Sequence, residues 1–91
     1  MLYVIIGRDS PEAKDLRPRL RPAHLDHLGT FDRDGRVVLA GPLTDGAGSL
    51  IVLEAASAEE ARAIADRDPY TVGGVFASVE VHPFLQVLPK T

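Results

Sequence analysis

Cysteine is absent from the 91 residues, which excludes a disulfide framework and any thiolate-held metal. An excess of basic charge is absent too. The net charge is −3, so nothing suggests bulk electrostatic binding to nucleic acid. No apolar stretch approaches the ~20 residues a membrane-spanning helix needs, and no basic segment precedes an apolar run of signal-peptide length. With cysteine missing as well, the reading is a soluble, cytoplasmic protein. The glycines form neither a GxGxxG pattern nor a P-loop, so no phosphate cradle and no cofactor is implied. Length is the last thing in short supply. The chain makes one domain, residues 1–91. A domain of this size buries only roughly 60–65% of its unfolded surface, so its small core gains from an oligomer.

What is present reads as alternating strands and helices. Leu2 to Ile6 is apolar and rich in β-formers, with Gly7 ending a first strand. Residues 8–20 carry charge, Pro11 and Pro18, and read as a loop. Pro22 suits the first position of a helix. Leu25, Leu28 and Phe31 recur at helical spacing, and Gly35 closes the helix. Residues 37–41 form a second strand stopped by Pro42, and Asp45-Gly46 marks a hairpin. Residues 49–55 form a third strand. Ser57 and Glu60 form a capping box for a second helix, whose buried stripe is Ala61, Ile64 and Ala65. Asp68-Pro69 ends that helix. After Gly73-Gly74, residues 75–82 alternate as a fourth strand.

The order βαββαβ, closed by two right-handed crossovers, defines an α+β, ferredoxin-like fold. It predicts a four-stranded antiparallel sheet in strand order 4-1-3-2 with both helices on one face. Pro42 and Pro83 would then border edge strands, where a missing donor is tolerated. Both faces of the central strands are apolar: Leu2, Val4 and Ile6 against Tyr3 and Ile5, and Leu50 and Val52 against Ile51 and Leu53. Helices cover only one face. The other would leave an apolar patch of several hundred Å², which predicts a homodimer, sheet against sheet.

Three histidines are the chemical candidates. His24, in the RPAHL segment at 21–25, falls in the first turn of the expected helix. There the dipole favours the neutral ring that a general base requires. Its plainer readings are a polar residue on an exposed helix turn or a satisfied, half-buried histidine. Asp68 stands at the C-terminal end of the second helix, where a carboxylate repeats the sign of the dipole. It is either a turn residue before proline or the group that orients His24 and fixes its tautomer, as third members do in nucleophile–base–acid sets. His27 is a solvated residue or, with His24 and His82, a weak three-histidine metal site; the reading adopted is no metal. Ser57 is accounted for by capping, and Ser49 is a nucleophile only formally. Ser78 shares a face with Phe76, Glu80 and His82, lining a cavity or an exposed edge. Gly73-Gly74 either turns the chain or lets its backbone approach a ligand. Arg17, Arg19 and Arg21 form a solvated loop or an anion clamp.

The segments RPAHL at 21–25, GRVVLAGPL at 35–43, SLIVLEA at 49–55 and DPYTVGGVFASVEVHPF at 68–84 together resemble the YciI-like family, the YCII-related domain. The resemblance spans nearly the whole chain. It implies a ferredoxin-like fold that dimerises into an α+β barrel. It also implies a catalytic centre of one histidine and one aspartate, which carry over as His24 and Asp68. Arg21 matches the arginine before the histidine, and Gly41, Pro42 and Tyr70 match positions that line a pocket. Some members resemble dehydrochlorinases, and related barrels include lactone isomerases; neither substrate is carried over. The expectation is a lyase- or isomerase-type enzyme doing general acid–base chemistry on a small, anionic organic molecule. The alternative is a ligand-binding or regulatory module on the same dimer.

Overall fold

The computed structural model describes residues 1–90. Its elements run β1 (Leu2–Asp9), α1 (Ala13–Arg33), β2 (Val37–Pro42), β3 (Gly48–Glu54), α2 (Ala58–Arg67), α3 (Pro69–Val72) and β4 (Phe76–Phe84). The sheet order is β2-β3-β1-β4, all neighbours antiparallel, which is the expected ferredoxin-like arrangement. Tyr3, Ile5, Ile51 and Leu53 point to the helix side and pack with Leu28, Ala61, Ile64 and Ala65. The opposite face carries Leu2, Val4, Ile6, Leu50 and Val52, with Leu39 and Phe84 exposed beside them.

The main departure is helix α1. The segment read as a loop is the end of β1, a turn, and the first turns of a 21-residue helix holding both Pro18 and Pro22. An interior proline removes one helical hydrogen bond and costs about 3 kcal/mol, which is the local signal for a break. Here the two prolines stand four residues apart on one face, and both are exposed. The carbonyls they leave without donors, on Lys14 and Pro18, lie on that wet side. The other side is held by burial of Ala13, His24 and Leu28. Pro22 is therefore mid-helix, and so is His24; the dipole argument for its neutral ring does not apply. Leu25, expected in the core, is 47% exposed, and His24 takes the inward position instead.

Two smaller corrections concern close packing. Gly7 continues β1 rather than ending it. A Cβ there would lie 2.5 Å from Cε2 of Phe76, so the ring occupies the space a side chain would need. Phe76 itself does not share a face with Ser78. The β1–β4 register shifts between Arg8 and Asp9, leaving Ala77 as an extra residue on β4. One inserted residue flips the side chains beyond it to the other face, so Phe76 joins Ala13, Tyr70 and Val75 in a second apolar cluster.

Capping of α2 is close to expectation. The Glu60 amide donates to Ser57 Oγ at 3.1 Å, while Glu60 Oε1 accepts from the amide of Ala56, not Ser57, at 2.8 Å. Gly74 takes a positive φ of 85° and turns the chain into β4. A Cβ on Gly73 would meet Leu20 at 2.3 Å, so Gly73 lets α1 pack closely and its space is filled by that side chain, not open to a ligand.

Candidate active site

Helix α1 presents Arg17, Arg21, His24 and Leu28 at spacings of four, three and four residues, a single stripe along its axis. That stripe forms one wall of a cavity of about 770 Å³. Ser49, Ala40, Gly41 and Pro42 of the β2–β3 hairpin form the facing wall, with Asp9 and Tyr70 at the inner end. The volume is in the range of small-molecule sites. Of the residues expected to matter, Arg21, His24, Gly41, Pro42 and Tyr70 all line this space.

Asp68 lies behind the wall and is 2% exposed. The Pro69 ring forces Asp68 out of helical geometry, to φ −59° and ψ 128°. Its carboxylate thereby becomes the N-cap of the short α3, accepting the Tyr70 amide at 2.9 Å. This resolves the oddity of an acid at the end of α2, because the same residue opens the next helix. The carboxylate also accepts the Nδ1–H of His24, at 2.7 Å to Oδ1 and 2.9 Å to Oδ2. With Nδ1 committed as a donor, the neutral ring carries its lone pair on Nε2. Among the described residues Nε2 has no partner, yet no buried side-chain nitrogen or oxygen is left unpaired. Nε2 therefore keeps its access to the cavity.

The ring is held in plane as well as at its edge. Tyr70 stacks on His24 with centroids 3.8 Å apart and 6° between planes. The Arg17 guanidinium lies over Tyr70, 5.2 Å from its centroid, and over Phe76 at 5.9 Å. Arg17 is anchored in turn: Nε and Nη2 donate to the two Asp9 carboxylate oxygens at 2.9 and 2.6 Å, and Nη2 donates to Ser49 Oγ at 3.0 Å. The bond to Asp9 raises the Arg17 pKa above its ordinary value. Burial raises the Tyr70 hydroxyl above 10.0, offset in part by the charges of Arg17 and Arg21. At neutral pH Tyr70 is therefore a neutral donor.

Asp9 neutralises Arg17, whereas Lys14 and Arg21 line the cavity and form no ion pair among the described residues. The cleft is cationic at that end. Leu25, Leu28 and Ala40 make its other end apolar, and His24 sits between the two. Arg19 does not line the cavity. The anion-clamp reading therefore narrows to Arg21, and the loop reading of this run falls with the loop itself. Asp9 and Lys14 are not legible as site residues from local pattern, because the charged, proline-bearing segment that joins them reads as a loop and is instead a turn and the start of α1. Lys14 lies three residues before Arg17, so carrying the helical stripe one turn toward the N-terminus was the signal that could have found it.

The three histidines do not converge. His82 lies on the open sheet face beside Glu80, at 3.3 Å, away from the helices. His27 is half-buried rather than solvated, and its Nε2 donates to the Ile64 carbonyl at 2.8 Å. Among the described residues no three His, Cys, Asp or Glu side chains group as a metal site would require. Ser78 is exposed on the open face, and no described helix is long and apolar enough to cross a membrane.

A ferredoxin-like α+β chain with a buried His–Asp pair behind a cationic cleft defines the class. The chain belongs to the YCII-related domain family, whose model matches residues 1–85. It is similar to Protein YciI of Escherichia coli O6:H1, 40% identical over 97 aligned residues covering 96% of this chain and 99% of the relative. An uncharacterized protein of Haemophilus influenzae is 32% identical over the same shares. Among solved structures, 5-chloro-2-hydroxyhydroquinone dehydrochlorinase from Burkholderia phenoliruptrix AC1100, in complex with 2,5-dihydroxybenzoquinone, superposes with a TM-score of 0.83. It is 28% identical, and the match covers 93% of this chain and 94% of that one.

Proposed function

We propose that the protein is a cytoplasmic, homodimeric enzyme of lyase or isomerase type acting on a small anionic organic molecule. His24 is its general base and acid, and Asp68 its orienting carboxylate. The observation that carries this reading is the direction of the ring: Nδ1–H is tied to a buried carboxylate, and Nε2 is left free toward a cationic cleft. Arg21 and the apolar end of the cleft bind the two ends of the substrate. Gly41, Pro42 and Tyr70 shape the space between.

In the step proposed, Nε2 takes a proton from a carbon or hydroxyl of the substrate and the ring becomes imidazolium. Asp68 stabilises that charge through Nδ1–H. The electron pair released either expels a leaving group as its anion, or moves along a conjugated system and is reprotonated from Nε2–H. The first course is elimination and the second isomerisation. A base positioned in this way contributes on the order of 10²–10⁴-fold. The likeness to a dehydrochlorinase supports the elimination branch without naming this chain's substrate.

The test uses 2,5-dihydroxybenzoquinone as a binding probe and a panel of small aryl and 2-oxo acids, followed by hydrogen–deuterium exchange at carbon in D₂O. The expected result is catalysed exchange of at least one acid that is lost in His24→Ala. His24→Gln should keep probe binding, and Arg21→Gln should weaken acid binding about tenfold with a reduced salt dependence. Exchange that survives His24→Ala would overturn the proposal. Binding across the panel with no exchange would move the reading to a ligand-binding module.

A further inference from the structure

The His24–Asp68 pair joins α1 to the end of α2, and a second hydrogen bond joins the same two elements one turn away. His27 lies three residues beyond His24 in α1, about 4.5 Å along the axis. It donates from Nε2 to the carbonyl of Ile64, four residues before Asp68. The order is reversed on the two sides, as it must be for antiparallel helices. The two contacts are rungs between one pair of elements.

The acceptor in the second rung is free for a reason. In a continued helix the Ile64 carbonyl would take the amide of Asp68. Pro69 pulls Asp68 into an extended conformation, and the Asp68 amide turns to Ala65 O at 3.3 Å instead. Thr71 Oγ1 donates to the same Ala65 carbonyl at 2.7 Å. The last turn of α2 thus needs an outside donor at Ile64, which is a buried residue. His27 supplies it. Its ring is steadied by an edge contact with Phe31, 5.5 Å between centroids at 78°. A carbonyl only accepts, so His27 carries its hydrogen on Nε2, the opposite tautomer to His24.

We infer that His27 is a positioning residue. Its bond to Ile64 O sets the register of α1 against α2 that brings His24 Nδ1 within reach of Asp68. This rests on the reading of His24 and Asp68 as the working pair. A bond between a ring and a carboxylate demands alignment to a fraction of an ångström, and a shift of 1 Å at such a group costs on the order of 10²-fold in rate. The partner here is a helix end whose Ile64 carbonyl has lost the Asp68 amide of its own ladder.

The experiment is ¹⁵N–¹H correlation of the histidine rings in the full chain at a pH where they are neutral. In the unaltered protein His24 should show the Nδ1–H tautomer and His27 the Nε2–H tautomer. His27→Leu keeps bulk and removes the donor. It should leave the protein folded by circular dichroism but turn His24 into a mixture of tautomers. His27→Gln, which can still donate, should restore the Nδ1–H pattern. Once an exchanging acid is known, His27→Leu should lower kcat about 10–100-fold with KM little changed, and His27→Gln should recover it. A folded His27→Leu protein whose His24 signals match the unaltered ones overturns the inference while leaving the catalytic pair standing. If His27→Leu does not fold, His27→Asn, polar but too short to reach the carbonyl, gives the same reading by the same signals. If His24 lacks the Nδ1–H tautomer in the unaltered protein, the pair itself fails, and this inference with it.

Discussion

Replacing Asp68 separates two roles that one carboxylate plays. It accepts three contacts from two buried donors, the His24 ring and the Tyr70 amide. Asp68→Ala leaves both donors without partners. Each unpaired buried donor costs roughly 1–3 kcal/mol, so the loss is roughly 2–6 kcal/mol. A chain of this size is stable by roughly 5–14 kcal/mol in total. With a urea slope of about 1 kcal/mol/M, the midpoint should fall by roughly 2 M or more. Asp68→Asn differs. Its amide oxygen can occupy the Oδ1 position, which already serves both Tyr70 N and His24 Nδ1. Its NH₂ group then faces the ring, which answers by moving its hydrogen to Nε2. Stability should drop by only about 1 kcal/mol, whereas Nε2 can no longer accept a proton and turnover should fall by on the order of 10²–10⁴-fold. Urea denaturation followed by circular dichroism measures the first effect and ring ¹⁵N shifts the second. An Asp68→Ala midpoint within about 0.5 M of the unaltered protein would show that this carboxylate does not satisfy the two donors.

Gly7→Ala should cost roughly 1–3 kcal/mol, because its Cβ would sit 2.5 Å from the Phe76 ring. The same urea assay checks this, and an unchanged midpoint would mean that the ring moves freely. Pro22→Ala restores a helical donor at an exposed mid-helix position and should raise stability by about 1 kcal/mol or more. A loss there would argue against one continuous helix α1. Tyr70 titrates above its ordinary 10.0 in the folded protein because burial disfavours the phenolate. Its contribution to stability is therefore fully present below pH ~10 and lost as the pH rises through the folded value. Ultraviolet difference titration should resolve its ionisation at higher pH than in the urea-unfolded chain, and coincident curves would refute the stated cause.

Much of the molecule follows from local pattern. Alternation in Leu2–Ile6 and Leu50–Leu53, with prolines at positions 42 and 83, was enough to order the strands, since a proline is tolerated at an edge and a doubly apolar strand belongs at the centre. Ser57 and Glu60 marked the start of α2 by capping chemistry, one amide removed from the simplest form. The segments around His24 and Asp68 were enough to place both residues in a known family, and that placement rested on order and identity, not on any contact.

Contacts between elements were beyond its reach. Pro18 and Pro22 signal a break to any local rule, and only the burial of Ala13, His24 and Leu28 against the rest of the molecule overrides them. The Asp9–Arg17–Ser49 network draws on β1, α1 and β3, which meet only after the sheet and helix have packed. His27 reads as a surface residue until α2 runs short of a donor at Ile64. The sequence by itself determined the fold class, because propensity, alternation and capping act over a few residues, and it singled out His24 and Asp68 through resemblance to a known family. The tertiary structure alone decided which nitrogen of His24 faces the cleft and what charge that cleft carries. Those depend on hydrogen bonds and ion pairs between residues dozens of positions apart.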